Sequence, residues 1–278
     1  MKTQFTQGTE RIFMDSFDSL GEMIRYAETN PEFGSSDKNG RDFTMTDSFA
    51  QAATLARHGW HDVRPNVERL MNSLTEKIGE RIDFAQIANY SVSGSIVDMG
   101  RYMTGEPECM LEFATEPCER MGRVVRIFVD YGANAGHSVD HFLKRGSALL
   151  ALIDSLTKLG VSCEVYGETS VTGSRDKIHT TVVKLHDARD PMDVDALMFT
   201  LAHPSMLRRL TFAVREMSDC HKAIGAFAGG SYGSSTKMRF ARQQQPDVCM
   251  ERTEHGAGLM MSDPVEWVCQ TITGLGLL

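Results

Sequence analysis

The stretch "VVRIFVDYGANAG", Val124 to Gly136, decides how this chain folds. Five of its first six residues suit a buried strand, the run ends on the acid Asp130, and a loop rich in Gly and Asn follows. An acid at that point has three roles open to it: metal ligand, nucleophile, or the residue that closes a turn.

Working outward, "FLKRGSALLALIDSLTKLG" places Leu149, Leu150, Leu152, Ile153 and Leu156 on a strongly apolar helix that stops at Gly160. "VSCEVYGE" reads as a second strand, "TGSRD" as a turn, and "KIHTTVVKLHD" as a third strand. A helix between the first two strands predicts a parallel pair, and the short turn between the second and third predicts an antiparallel hairpin. The expected fold class is α/β: a mixed, mostly parallel central sheet with flanking helices. "DPMDVDALMFTLAHPSMLRRLTFAVREM" adds two helices that meet at Pro204, because proline removes a backbone donor and stops the first near Ala202 or His203. "SDPVEWVCQTITG" reads as a terminal helix capped by Ser262 or Asp263.

The N-terminal third reads as helices joined by polar loops. "SFDSLGEMIRYAE" has Asp18 or Ser19 available as cap, "TDSFAQAATLARHG" has Thr46 or Asp47 and a stop at Gly59, and "RPNVERLMNSLTEKIGERI" starts on Pro65. Residues 94–108 read as irregular. The expected organisation is a helical N-terminal extension over 1–121 and an α/β domain over 122–278 that ends in the terminal helix.

Element order, together with "RIFVDYGANAG" followed by "ALLALIDSLTKLGVSCEVYGE", resembles the von Willebrand factor A fold over residues 122–230. In that family an Asp-x-Ser-x-Ser loop after the first strand holds a divalent ion, and a partner's carboxylate completes the coordination. Asp130 matches the leading aspartate, while Gly132 and Asn134 stand at the serine positions. Asn134 offers a carbonyl oxygen and Gly132 offers nothing, so a hard cation needs further oxygens. What the resemblance implies is a degenerate site of Asp130, Asn134 and Asp187 or Asp190, with no cofactor beyond weakly held Mg2+ or Mn2+. On this reading Asp130 is mainly structural, its carboxylate accepting the loop's own amides in an Asx-type turn. "GRYMTGEPECM", the Gly-Trp at Gly59 and Trp60, and "HPSMLRRLTF" also resemble bacteriophage-encoded proteins.

A formal charge of −8 argues against a surface built throughout to neutralise phosphates. The six cysteines are scattered with no CxxC pair, and no apolar run reaches the roughly 20 residues that a membrane helix needs. Reduced thiols in a cytoplasmic protein, of a bacterial host if phage-encoded, are the expectation. Phosphate-loop, dinucleotide and Gly-x-Ser-x-Gly signatures are missing or incomplete. "HSVDH" sets His137 and His141 four apart but lacks the glutamate of a zinc protease.

Two surface candidates remain. Trp60 and His61 in "HGWHD" are a candidate partner-binding loop, with a core-plugging Trp as the plainer alternative. Lys237, Arg239, Phe240 and Arg242 in "KMRFARQQQ" interleave cations with an aromatic, as single-stranded nucleic acid binding requires, and Arg208, Arg209 and Arg215 lie in a second basic run. The leading expectation is a non-catalytic protein that contacts a protein partner or copies of itself as a homo-oligomer. The rival is a phage-encoded protein that binds or modifies nucleic acid.

Overall fold

The computed structural model describes residues 2–79, 87–93, 96–97, 99–114, 123–132, 139–174, 176–190, 193–226, 232–252 and 258–277. The chain opens with a hairpin of β1 (Lys2–Gln7) and β2 (Glu10–Phe17), then α1 (Leu20–Glu28). Two single-turn helices follow, α2 (Ser35–Lys38) and α3 (Arg41–Thr44), before α4 (Phe49–His58) and α5 (Arg64–Gly79). A small three-stranded antiparallel sheet is next: β3 (Ile87–Ser91), β4 (Ile96–Val97) and β5 (Met110–Ala114), with α6 (Met99–Met103) between the last two. The central part runs β6 (Val124–Asp130), α7 (Val139–Lys158), β7 (Ser162–Thr172), β8 (Lys177–His186) and α8 (Val194–Ala202). A π-helical stretch, Met206–Thr211, leads into α9 (Phe212–Met217) and α10 (Asp219–Ala223). The chain finishes with β9 (Ser234–Thr236), α11 (Phe240–Gln244), β10 (Val248–Met250), α12 (Gly258–Ser262) and α13 (Pro264–Gly274).

The main sheet has the order β1-β2-β8-β7-β6-β10, with β9 added to β7. It is mixed: β6 runs parallel to β7 and β10, β2 runs parallel to β8, and β7–β8 is an antiparallel hairpin. Successive side chains of a strand point to opposite faces. Val125, Ile127 and Val129 therefore enter the larger core with α1, α4, α7, α8 and α13, while Phe128 enters a smaller one with Val182, Met238 and Ala241. The apolar stripe of α7 is wholly interior, with Leu149, Leu150, Leu152 and Leu156 each 0 % exposed. At about 1.5–3 kcal/mol for each such side chain, it is a main source of the domain's stability.

One sequence expectation changes at the start of the chain. Residues 2–17 are strands, and β2 pairs with β8, so the same sheet crosses the expected 121/122 boundary. β1 is an edge strand with an alternating exposed and half-buried pattern, which "KTQFTQ" fulfils with polar residues and a single Phe. The join between β2 and β8 is fastened by a buried polar chain: His179 Nε2 donates to Asp15 Oδ2 at 2.9 Å, Ser218 Oγ donates to the same oxygen, and His221 Nδ1 lies 3.1 Å from His179 Nδ1.

The helix caps follow local chemistry. Ser19 caps α1 and Glu22 reaches back to the Asp18 amide at 2.7 Å. Ser48, rather than Thr46 or Asp47, caps α4, because its hydroxyl is the one placed to accept the Gln51 amide, at 3.2 Å. Thr46 is buried instead, and its hydroxyl accepts from Arg209 Nε at 2.7 Å.

Arg209 explains the polar loop over residues 30–46. Its side chain is fully buried and donates to the carbonyls of Ser36, Asp37, Asn39 and Thr46 at 2.6–3.0 Å, with the hydroxyls of Thr44 and Thr46 completing the set. Glu216 takes the matching amides, accepting from Gly34 N and Ser36 N at 3.0 Å each. Replacing Arg209 with Met leaves those carbonyls without donors inside the protein. The expected loss is about 3–5 kcal/mol of unfolding free energy, read from urea midpoints at constant slope.

Candidate functional site

The site lies where β6 leaves the sheet. Along one edge of β7, β6 is paired as far as Glu168, and β9 takes over from Ser170. Thr169 sits at the hand-over. Asp130, the last residue of β6, is opposite Glu168, and on the other side β10 is paired with β6 as far as Val129. Ligands of open α/β sheets collect at such carboxyl ends, where neighbouring connections diverge.

Asp130 is fully buried and its two oxygens are engaged. Oδ2 accepts from Arg252 Nε at 2.8 Å, and Oδ1 accepts from Arg252 Nη2 at 3.2 Å and from the Gly132 amide at 2.8 Å. The last bond is an Asx-type turn. Arg252 Nη2 also donates to the Thr236 carbonyl of β9 at 3.1 Å, which ties the incoming strand to the departing one. A Cβ on Gly132 would lie 2.8 Å from Arg252 Nη2, Asp130 Oδ1 and Thr169 Oγ1 alike, so glycine is what lets the guanidinium approach. Burial pushes the Asp130 carboxyl above its ordinary value, against the pull of Arg252 and Arg145.

Glu168, also fully buried, holds the next segment. Oε1 accepts from the amides of Arg239 (2.6 Å) and Phe240 (2.9 Å) and from Ser170 Oγ (3.0 Å), and Oε2 accepts from the Ala241 amide (2.8 Å). Burial outweighs these donors and pushes the carboxyl up to about 7.

Three guanidinium groups converge here, those of Arg145, Arg215 and Arg252, exposed by 4 %, 2 % and 1 %. Arg145 donates to the Met250 and Glu251 carbonyls at 3.2 and 3.3 Å. Arg215, on α9, donates from Nη2 to Thr169 Oγ1 at 3.4 Å, and burial pushes its pKa down to about 10.

The residues singled out in the sequence fall as follows. Asn134 and His137 lie outside the described residues. Asp187 is not brought to Asp130: Val182 shares the rung of Glu168, and Asp187 is five residues further along, roughly 16 Å toward the other end of the sheet. Its carboxylate accepts from Lys184 and from the Arg189 amide. A divalent cation needs a shell of oxygens, whereas Asp130 is surrounded by cationic donors, so the described residues do not fit such an ion. No group of three metal-binding acids, histidines or cysteines occurs among the described residues.

Trp60 is 5 % exposed and its ring meets His203 edge-on at 4.5 Å, which makes it a core residue. His61 Nδ1 and Arg64 Nη1 share Asp195 Oδ2, at 3.0 and 2.8 Å. In the basic run, Lys237 is exposed, Arg239 forms a two-bond pair with Glu10 at 2.7 and 2.9 Å, and Phe240 packs on Phe128. Arg242 belongs to α11, with its side chain outside the described residues. Arg208, Arg209 and Arg215 are all buried, so that second run is not a solvated strip. Sequence reading missed Glu168 and Arg252 as site residues. Glu168 carried a signal, an acid inside a run of strand formers; Arg252 follows a strand of three residues, too short for any periodicity to show.

Two outcomes follow from this geometry. Because Arg252 fills the place a cation would take, Mg2+ or Mn2+ leaves the wild-type melting temperature unchanged beyond ionic strength, and Asp130→Asn costs about 3–5 kcal/mol by leaving Arg252 buried and unpaired. The second concerns pH. Folded Glu168 keeps its proton up to about 7 while an unfolded glutamate loses it near 4.5, so its contribution is full below 4.5 and lost as pH rises through 7. His203 and His221 act oppositely: burial keeps them neutral down to about 4 and about 2, so their contribution is full above 6.5 and lost on acidification. Glu168→Gln removes the opposing slope, and urea midpoints between pH 4.5 and 6.5 are expected to fall more steeply with acid than in the wild type.

Among the described residues no helix is long and apolar enough to cross a membrane. No curated protein and no solved structure matches the chain. A family model described as "Domain of unknown function (DUF7192)" matches residues 4–259, a span that includes most of the N-terminal hairpin as well as Asp130, Glu168, Arg215 and Arg252. The chain belongs to this DUF7192 family.

Proposed function

We propose that this chain is a non-catalytic, cytoplasmic protein-interaction module that associates with a second copy of itself, built on a sheet of von Willebrand A type. The order β8-β7-β6-β10, with β8 antiparallel at one side, supports the fold reading. The single observation that carries the functional reading is the apolar surface of the β3–β5 region. Val92, Met99, Tyr102 and Met103 are 70, 61, 61 and 79 % exposed, with Tyr90 and Val97 each 42 % exposed beside them in sequence. Arg101 lies 3.6 Å over the Tyr90 ring. Large apolar side chains gathered in this way mark contact surfaces, and Met, Tyr and Arg are the residues enriched at interface centres.

A self-complementary patch gives a closed dimer. Replacing Met99, Tyr102 and Met103 together by Glu leaves the described cores untouched, since all three side chains point into solvent. Light scattering over a wide concentration range is expected to give twice the chain mass for the wild type and the chain mass for the triple variant, with a cooperative thermal transition kept by the dissociated variant. A wild type that stays monomeric throughout, or a variant that stays dimeric, contradicts the reading.

A further inference from the structure

We propose that the carboxyl end of β6, beside Thr169, Arg215 and Arg252, binds a phosphate-class oxyanion. The inference is independent of self-association.

It rests first on what a satisfied buried arginine looks like in this same molecule. Arg209 is fully buried and its donors are met by four carbonyls and two hydroxyls. Arg215 is 2 % exposed, yet its Nε has no acceptor, and its contact to Thr169 Oγ1 at 3.4 Å is at the outer limit for a hydrogen bond. No carboxylate of the described residues pairs with it. Arg252 is 1 % exposed and spends Nε and Nη2 on Asp130, while its Nη1 has no acceptor. A guanidinium nitrogen buried without an acceptor costs free energy, so one on each of two neighbouring arginines points to an anionic partner.

Second, these donors converge. The position a Cβ would take on Gly132 is 2.8 Å from both Arg252 Nη2 and Thr169 Oγ1, and Arg215 Nη2 donates to Thr169 Oγ1 at 3.4 Å. Both guanidinium groups thus lie near one hydroxyl. Because that hydroxyl accepts from Arg215, its own proton is available to an oxyanion.

Third, the buried carboxylates of Asp130 and Glu168 are already engaged. Arg145, Arg215 and Arg252 face Asp130, which is committed to Arg252 and Gly132, and Glu168, whose oxygens are filled by the amides of residues 239–241 and by Ser170. Two planar forks and a hydroxyl suit a tetrahedral oxyanion with several acceptor oxygens and more than one charge better than a single carboxylate. The enclosure of the nitrogens suits free phosphate or the terminal phosphate of a monoester.

The test uses the full chain dialysed free of phosphate. Melting temperature and calorimetric binding are measured with inorganic phosphate, with adenosine monophosphate, with acetate and with potassium chloride, all at matched ionic strength. Inorganic phosphate is expected to raise the melting temperature saturably while acetate and chloride do not, and the monophosphate arm separates free phosphate from a phosphoryl group on a larger ligand. Arg215→Met is expected to melt at or above the wild type without phosphate, since it removes an uncompensated cation, and to bind phosphate about tenfold or more weakly. Should Arg215→Met not fold, Thr169→Val takes its place with the same expected weakening. A wild type that responds to phosphate no more than to chloride overturns the proposal, as does a variant that responds as the wild type does. A response to acetate equal to that of phosphate overturns the assignment of ligand class.

Discussion

A guanidinium group withdrawn from water has to be met by acceptors, and in this protein that requirement organises the chain around its central sheet. Arg209 meets it with the backbone of a loop more than 160 positions earlier in the sequence. Glu216 answers from the same helical region with the complementary choice, accepting the loop's amides where Arg209 takes its carbonyls. A largely polar segment is thereby held against the core by its backbone groups, with Phe33 and Met45 as its apolar contacts. Arg252 meets the requirement with Asp130, and Arg215 meets it least.

The same logic fixes the C-terminal third. Asp130 and Glu168 stand on one rung of the sheet, and each reaches out of it to hold a different piece of later chain: Arg252 after β10 in one case, the amides at the start of α11 in the other. That rung is also where β7 exchanges β6 for β9. A break in the ladder next to two fixed carboxylates leaves room for a buried side-chain cluster that an unbroken sheet would have no space to hold.

How much of this was legible in the sequence depends on how local each cause is. The strand at Val124–Asp130, the helix behind it and the hairpin of β7 and β8 were readable because apolar runs, a Gly stop and a short turn act over a few residues. The end of α8 at Pro204 and the cap at Asp263 were readable for the same reason. So was the turn at Asp130, since its donor is the amide two residues on. The strands β1 and β2 were not: their residues are largely polar on the open side, and β2 finds its partner 164 positions away at the Asp15–His179 contact. The burial of Arg208, Arg209 and Arg215 was equally hidden. An arginine run reads as solvated until distant carbonyls, aromatic rings and hydroxyls are brought to it, and nothing in "LRRLTFAVRE" encodes where those acceptors lie.

The parallel ladder between β2 and β8 also sets a timetable for folding. Residues 11–17 are made long before the strand they pair with, residues 177–183. Until then β2 has β1 on one side and an open edge on the other. Closing so long a loop before its contacts reward it is slow, and an open edge in the meantime can recruit other chains. The polar face of "KTQFTQ" and the charged start of "ERIFMDSF" at Glu10 and Arg11 keep that waiting hairpin soluble, so the polarity that concealed these strands is also what protects them during synthesis.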